Sequence, residues 1–156
     1  VEVNISALLR RTSEFIKGKA SELGIELALD IPDDIPAIIG DRDQLEQVFL
    51  NLAVNGIEAM KGGGRLRVSA AQKADEVKIS FTDTGPGIPA QDIPHVFNPF
   101  YTTKPSGTGL GLALSWSIIE RHGGIIRVDN VTDDEGARFE VILPLQWRFE
   151  REQTTR

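Results

Sequence analysis

Between Asp41 and Met60 the apolar residues recur at helical spacing on two sides of the same segment. Leu45, Val48, Phe49, Leu52, Gly56 and Ala59 form one stripe, and Leu50, Val54 and Ile57 form another, with Asn51, Asn55 and Glu58 on the flank. A helix apolar on two sides is buried on two sides, so the rest of the chain has to cover both. Burying an amide without a partner costs about 1–3 kcal/mol. The two asparagines therefore need partners, either neighbouring backbone or something bound.

The remaining segments supply the cover. Ile5 to Leu23 reads as a helix, with Asn4 or Ser6 as its cap, and is stopped by Gly24; Ile25 to Leu29 alternates like a strand with one buried face. Asp41 or Asp43 caps the two-sided helix, and Lys61-Gly62-Gly63-Gly64 ends it. Arg65 to Ala71 and Glu76 to Thr82 form a hairpin turned near Lys73-Ala74-Asp75. Gly85 to Gly109 is a long loop rich in Gly, Pro and Thr, with one short helix near Gln91 to Phe97; loops of that length in a compact domain are usually functional or disordered. Leu110 to Arg121 is a third helix, closed by His122-Gly123-Gly124, and Ile125 to Val131 and Ala137 to Leu143 are the last two strands. Three helices and about five strands, mostly in antiparallel hairpins, specify an α+β two-layer sandwich with a sheet on one side and helices on the other. One domain spans 1–145, and 146–156 is a polar, frayed tail.

Composition narrows the chemistry. The 156 residues contain no cysteine, which removes disulfides, thiolate metal sites and thiol catalysis and is compatible with the cytoplasm. A net charge of −6 argues against nucleic acid as a partner, and means that a polyanion has to be held by local donors and a metal. No apolar run approaches the length of a membrane span, so the segment itself is not expected in a bilayer. Its first residue is valine rather than methionine, so it reads as a fragment whose parent can still be membrane-anchored.

Three short blocks carry chemistry. In the first, Asn51-Leu52-Ala53-Val54-Asn55, a side-chain carbonyl is a neutral oxygen ligand suited to Mg²⁺, a hard ion that keeps several waters while bridging substrate phosphates. In the second, Asp83-Thr84-Gly85-Pro86-Gly87-Ile88, an aspartate at a strand end can accept from the exocyclic amine of adenine while Gly85 and Gly87 let backbone come close. Asp-Thr-Gly is also the signature of aspartic proteases, but that chemistry needs a carboxylate dyad, and the chain has no second copy. In the third, Gly107-Thr108-Gly109-Leu110-Gly111-Leu112, free amides at a helix start can cradle phosphate; alone, such a block is as readily a flexible turn.

In order and spacing these blocks resemble the N box and two glycine boxes of the GHKL family, which groups sensor histidine kinases, DNA gyrase, the MutL mismatch-repair proteins and the ninety-kilodalton heat-shock chaperones. Within it the chain is most similar to the catalytic and ATP-binding domain of bacterial two-component sensor histidine kinases, across Val3 to Leu145. The resemblance implies the Bergerat fold, a mixed, mostly antiparallel sheet backed by three helices, with ATP between the helix layer and a lid. It implies Asn55 as the Mg²⁺ ligand with Asn51 lining the same site, Asp83 as the adenine-binding aspartate with Gly85, Gly87 and Ile88 beside it, and Gly107, Thr108, Gly109, Leu110, Gly111 and Leu112 around the phosphates. Val96 to Lys104 resembles the F box and lid, closest to the nitrogen-regulation type, with Phe100, Thr102, Thr103 and Lys104 at the nucleotide. Phe97 and Phe100 anchor that lid to the core, and Lys104 is a point charge placed to reach the γ-phosphate.

Asn51 separates the branches. In the gyrase, MutL and chaperone branches the residue four before the metal asparagine is a glutamate that activates water; an amide has no useful basicity near neutral pH. Here the amide implies phosphoryl transfer to a side chain, with Asn51 and Lys104 as the catalytic pair, and a GHKL ATPase or nucleotide-driven switch as the alternative. Glu58 stands where a lysine often supports the phosphates, which moves the cationic contribution elsewhere. His95 and His122 are structural, since the resemblance places the phosphorylated histidine on a separate upstream dimerisation domain, through which a response regulator is served.

Overall fold

The computed structural model describes residues 1–101, 111–132 and 135–145. Helix α1 (Ile5–Glu22) starts where the Asn4 side chain accepts from the Ala7 N–H at 3.0 Å, and ends before Gly24, whose φ of +70° lies in the left-handed region that glycine occupies without penalty. Helix α2 (Arg42–Ala59) is capped by Asp41, which accepts from the Gln44 N–H at 3.1 Å. Helix α3 (Gly111–Arg121) begins inside the third block, at Gly111. Between α2 and α3, Ile93–His95 forms a single 3-10 turn where a short helix is expected. Prolines at 89, 94 and 99 each remove a backbone donor, so the i→i−4 ladder of an α-helix cannot propagate through this stretch.

Two sheets form. The larger contains β2 (Ile25–Asp30), β4 (Gly64–Lys73), β5 (Glu76–Thr82), β6 (Ile125–Thr132) and β7 (Glu135–Pro144), in the order β2-β4-β5-β7-β6. Among the described residues β2 and β4 pair parallel and the other neighbours antiparallel: β4–β5 and β6–β7 are hairpins, and β5 pairs with β7 across the chain. A second, small sheet pairs β1 (Glu2–Val3) with β3 (Ile38–Ile39) and is extended by the Gly40 N–H bonding to the Val1 carbonyl at 3.0 Å.

The helices cover one face of the large sheet. Leu66, Val68, Val77, Ile79, Phe81, Phe139 and Val141 point into the same core as Leu45, Val48, Phe49 and Leu52 of α2. Phe49 and Phe81 meet at 6.1 Å between ring centroids, which fixes α2 over the sheet centre. The second apolar side of α2 is covered in part: Ile57 is buried, while Leu50 and Val54 are half-buried against the core. Among the described residues, no helix is long and apolar enough to cross a membrane.

Candidate functional site

Asp83 lies one residue beyond β5, where alternation along the strand aims it at the helix layer. It is only 3% exposed. Its N–H donates to the Ala137 carbonyl at 2.9 Å, and its Oδ1 accepts from the N–H groups of Gly85 at 2.9 Å and Ala137 at 3.2 Å. Burial pushes the carboxyl above its ordinary 3.8, and these two backbone donors pull in the other direction. On its other side Asp83 packs across Gly56 of α2, where an added Cβ would fall 3.9 Å from Oδ2 and 2.9 Å from Leu66 Cδ1. The absence of a side chain at 56 keeps α2 within reach of the carboxylate.

The rest of the second block is fastened on all sides. The Thr84 hydroxyl accepts from the Arg65 N–H at 3.0 Å, and the Thr84 N–H and O–H point at Met60 Sδ at 3.4 and 3.5 Å. The Gly85 carbonyl accepts from the Gly136 N–H at 2.7 Å, and an added Cβ on Gly85 would come to 2.9 Å from the Ala59 carbonyl oxygen. Gly87 has φ +80°, which returns the chain so that the Ile88 backbone meets the Asn130 side chain.

Asn51 and Asn55 sit one turn apart on α2. Asn51 Nδ2 reaches the Gly111 carbonyl and Ser115 Oγ of α3, each at 3.4 Å, so part of the amide is satisfied by the neighbouring helix. Asn51 also lines a cavity of about 500 Å³ with Gln47, Pro99, Gly111, Ala113 and Leu114. Asn55 is half-buried and has an interaction of its own. Glu58 stands 3.9 Å from Lys19 of α1, so the carboxylate at the position where a lysine is often found is directed to a cation on the other helix.

Of the remaining sequence-derived residues, Gly111 opens α3, and Leu112 packs half-buried on the core. Thr102, Thr103, Lys104, Gly107, Thr108, Gly109 and Leu110 lie outside the described residues. Phe97 anchors its segment as expected, 5.2 Å from Trp116 and edge-on to Phe139 at 6.1 Å. Phe100 does not: its φ of +69° turns the chain outward and leaves the ring 74% exposed. The Tyr101 hydroxyl bonds instead to Asp92, and burial together with that carboxylate raises the phenol. His122 is structural. The Asp41 N–H can only donate, so Nε2 accepts it at 3.0 Å, and Nδ1 carries the hydrogen given to the Ile118 carbonyl at 2.8 Å.

Four residues that the motifs do not single out also build the site: Gly56, Met60, Asn130 and Gly136. Asn130 had a readable signal, because it is a polar residue at a core-facing position of a strand.

A family model described as the histidine kinase-, DNA gyrase B- and HSP90-like ATPase matches residues 40–146. The sensor histidine kinase ZraS of Escherichia coli O157:H7 is 40% identical over 143 residues, covering 92% of this chain and 31% of ZraS. The catalytic domain of histidine kinase ThkA, solved without nucleotide, superposes with a TM-score of 0.85 at 32% identity, covering 93% of this chain and 95% of that one. Full-length ShkA, solved in complex with AMPPNP, gives 0.82 at 32% identity, covering 92% of this chain and 30% of that one. The chain thus spans less than a third of ZraS.

Proposed function

The chain belongs to the histidine kinase-, DNA gyrase B- and HSP90-like ATPase family as a sensor histidine kinase catalytic domain, and from that premise we propose that it binds Mg-ATP and passes the γ-phosphoryl group to a histidine on a separate upstream domain. The observation that carries this reading is Asn51. It stands one turn before Asn55, at the position where the hydrolysing branches of the resembled family carry a glutamate, and it reaches Gly111 and Ser115 of α3. An amide there can hold a phosphate-bearing ligand in place but cannot deprotonate water.

The residues present fit the proposed ligands. Asp83 offers a carboxylate acceptor held in place by two backbone donors, suited to an adenine amine. Asn55 and Asn51 offer neutral oxygens, and among the described residues no group of three or more His, Cys, Asp or Glu forms a separate metal cage. That donor set suits a magnesium ion carried largely by phosphates and water. Asn55, with Asn51 beside it, would hold such an ion, which would supply charge neutralisation for the phosphates. Gly111 at the start of α3 presents the positive end of the helix dipole to the same region. Lys104 is assigned the point charge near the γ-phosphate. Phosphoryl transfer then depends on positioning and electrostatics, with the acceptor imidazole brought in from outside and a response regulator served by that same upstream domain.

A radiolabel assay tests this reading. The chain alone should bind ATP or ADP with Mg²⁺, take up no label and release phosphate slowly. Adding the helical acceptor domain of its own parent protein should give acid-labile label on that domain. Rapid phosphate release by the lone chain would transfer the reading to an ATPase or switch, and acid-stable label would mean that the acceptor is not a histidine.

A further inference from the structure

Strand β6 alternates in the usual way: Ile126 and Val128 face the helices, while Arg127 is exposed on the other face. Asn130 takes the next core-facing position, where the period calls for an apolar side chain. Instead it makes two hydrogen bonds to one residue, 42 positions earlier in the sequence. The Ile88 N–H can only donate and the Ile88 carbonyl can only accept, so the amide orientation is fixed: Oδ1 accepts at 2.8 Å and Nδ2 donates at 2.8 Å. The side chain acts as a peptide group for a residue that has no strand beside it.

The same hairpin touches the turn at two more points. The Gly136 N–H donates to the Gly85 carbonyl at 2.7 Å, and the Ala137 N–H donates to Asp83 Oδ1 at 3.2 Å. Gly136 has φ +68°, and an added Cβ there would come to 2.7 Å from the Asp83 carbonyl oxygen, so the close approach itself needs glycine. The turn from Asp83 to Ile88 is thus fastened to β6 and β7 at its start, at Gly85 and at its end.

We propose that Asn130 is a positioning residue for base recognition, fixing the downstream end of the turn whose upstream end carries Asp83. This rests on the adenine reading given above. Without the clamp the Ile88 backbone loses both partners and Gly87 is free to rotate, while Gly85 stays on the Gly136 N–H, so the downstream half of the turn shifts relative to the Asp83 carboxylate. The carboxylate then remains in place with its angle to the base less well defined. Base discrimination, rather than phosphate binding, is the property that suffers.

The experiment compares calorimetric affinities for ADP and IDP, which differ at the amine read by Asp83, in the unmodified chain and in Asn130→Ala and Asn130→Asp. The unmodified chain should prefer ADP. Asn130→Ala should weaken ADP by about tenfold, the scale of losing the ordering from two hydrogen bonds, while IDP changes little, so that the preference shrinks. Asn130→Asp keeps the acceptor for the Ile88 N–H and loses the donor, so it should fall between the two; it also serves if the alanine variant does not fold. An unchanged ADP to IDP ratio in either folded variant, even with a lowered melting temperature, would mean that Asn130 is merely structural, and overturns the inference alone. No preference for ADP in the unmodified chain would overturn the adenine reading and this inference with it.

Discussion

Asp83 and Asn51 are proposed to serve two ends of one ligand, and they are held in different ways. Asp83 is almost sealed from solvent, with backbone donors at 2.9 and 3.2 Å drawn from its own turn and from β7. Asn51 reaches across to another helix, with both contacts at 3.4 Å, and borders a cavity of about 500 Å³. The base end is set by sheet register, which folding establishes before any ligand arrives. The phosphate end rests on two helices in loose amide contact, and its geometry is left for a metal and phosphates to complete. Selectivity and catalysis should therefore respond to different mutations.

The largest effect is expected at the phosphate end. Asn55→Ala should reduce histidine phosphorylation at least about a hundredfold through loss of the metal's charge neutralisation, while ADP measured without metal binds as before. Transfer assays with the acceptor domain, run beside calorimetry in EDTA, read both quantities. If affinity without metal fell as steeply as transfer, the two ends would not be separable.

A smaller effect belongs to the base end. Asp83→Ala should weaken nucleotide by about 1.5–3 kcal/mol, at least tenfold, because a charged hydrogen bond to the amine is lost. The pH dependence has a definite sign. Burial raises the folded carboxyl above 3.8, so the folded chain holds this proton more readily than the unfolded one, and ionisation of Asp83 takes stability away as pH rises through that window. Asp83→Asn should consequently lose affinity without losing stability near neutral pH. Urea unfolding at pH 7 beside ADP titration checks this, and a large drop in stability would show that the carboxylate is a structural element first.

The smallest effect lies on the sheet face away from the helices. Glu140 of β7 is buried between Lys78 of β5 and Arg127 of β6, each at 2.9 Å. Burial alone would raise its carboxyl, but the hydrogen bonds and charges of Lys78 and Arg127 outweigh that and hold it below the ordinary 4.5. Its contribution is complete above the unfolded value and is lost as pH falls through the lowered folded one. Both cations are well exposed, so Glu140→Gln should cost only about 1 kcal/mol at pH 7, narrowing in acid, with nucleotide affinity unchanged. A gap that stays constant with pH would remove the ion pairs from the account.

The sequence reveals what periodicity and punctuation can encode. Helix α1 ends before Gly24 and α2 starts at the Asp41 cap, as the residues indicate, and the five strands of the large sheet fall where alternation puts them. Two-residue strands carry no period, so β1 and β3 are invisible to that reasoning, and nothing local in Ile25–Asp30 states that it pairs parallel to β4. Phe100 looks like a core residue by composition alone, and only its backbone angle shows otherwise. Asp83 is readable as a site residue from its motif. Its dependence on Ala137 and, through the turn, on Asn130 is not, because those partners come from another hairpin and are joined to it only in the folded sheet.

Strand β5 borrows one neighbour from its own hairpin and the other from the far end of the chain, with Val77 opposite Leu143 and Thr82 opposite Arg138. During synthesis, β5 therefore emerges with an open edge that stays unpaired until β7 has left the ribosome. The donor on Asp83 from Ala137 arrives in the same late segment, 54 residues downstream. A chain interrupted near Val131 would expose a sticky strand and lack the Ala137 bonds to Asp83 at once. On the proposed adenine reading, nucleotide could not rescue such a product by binding it, so ATP binding would report that translation had reached β7.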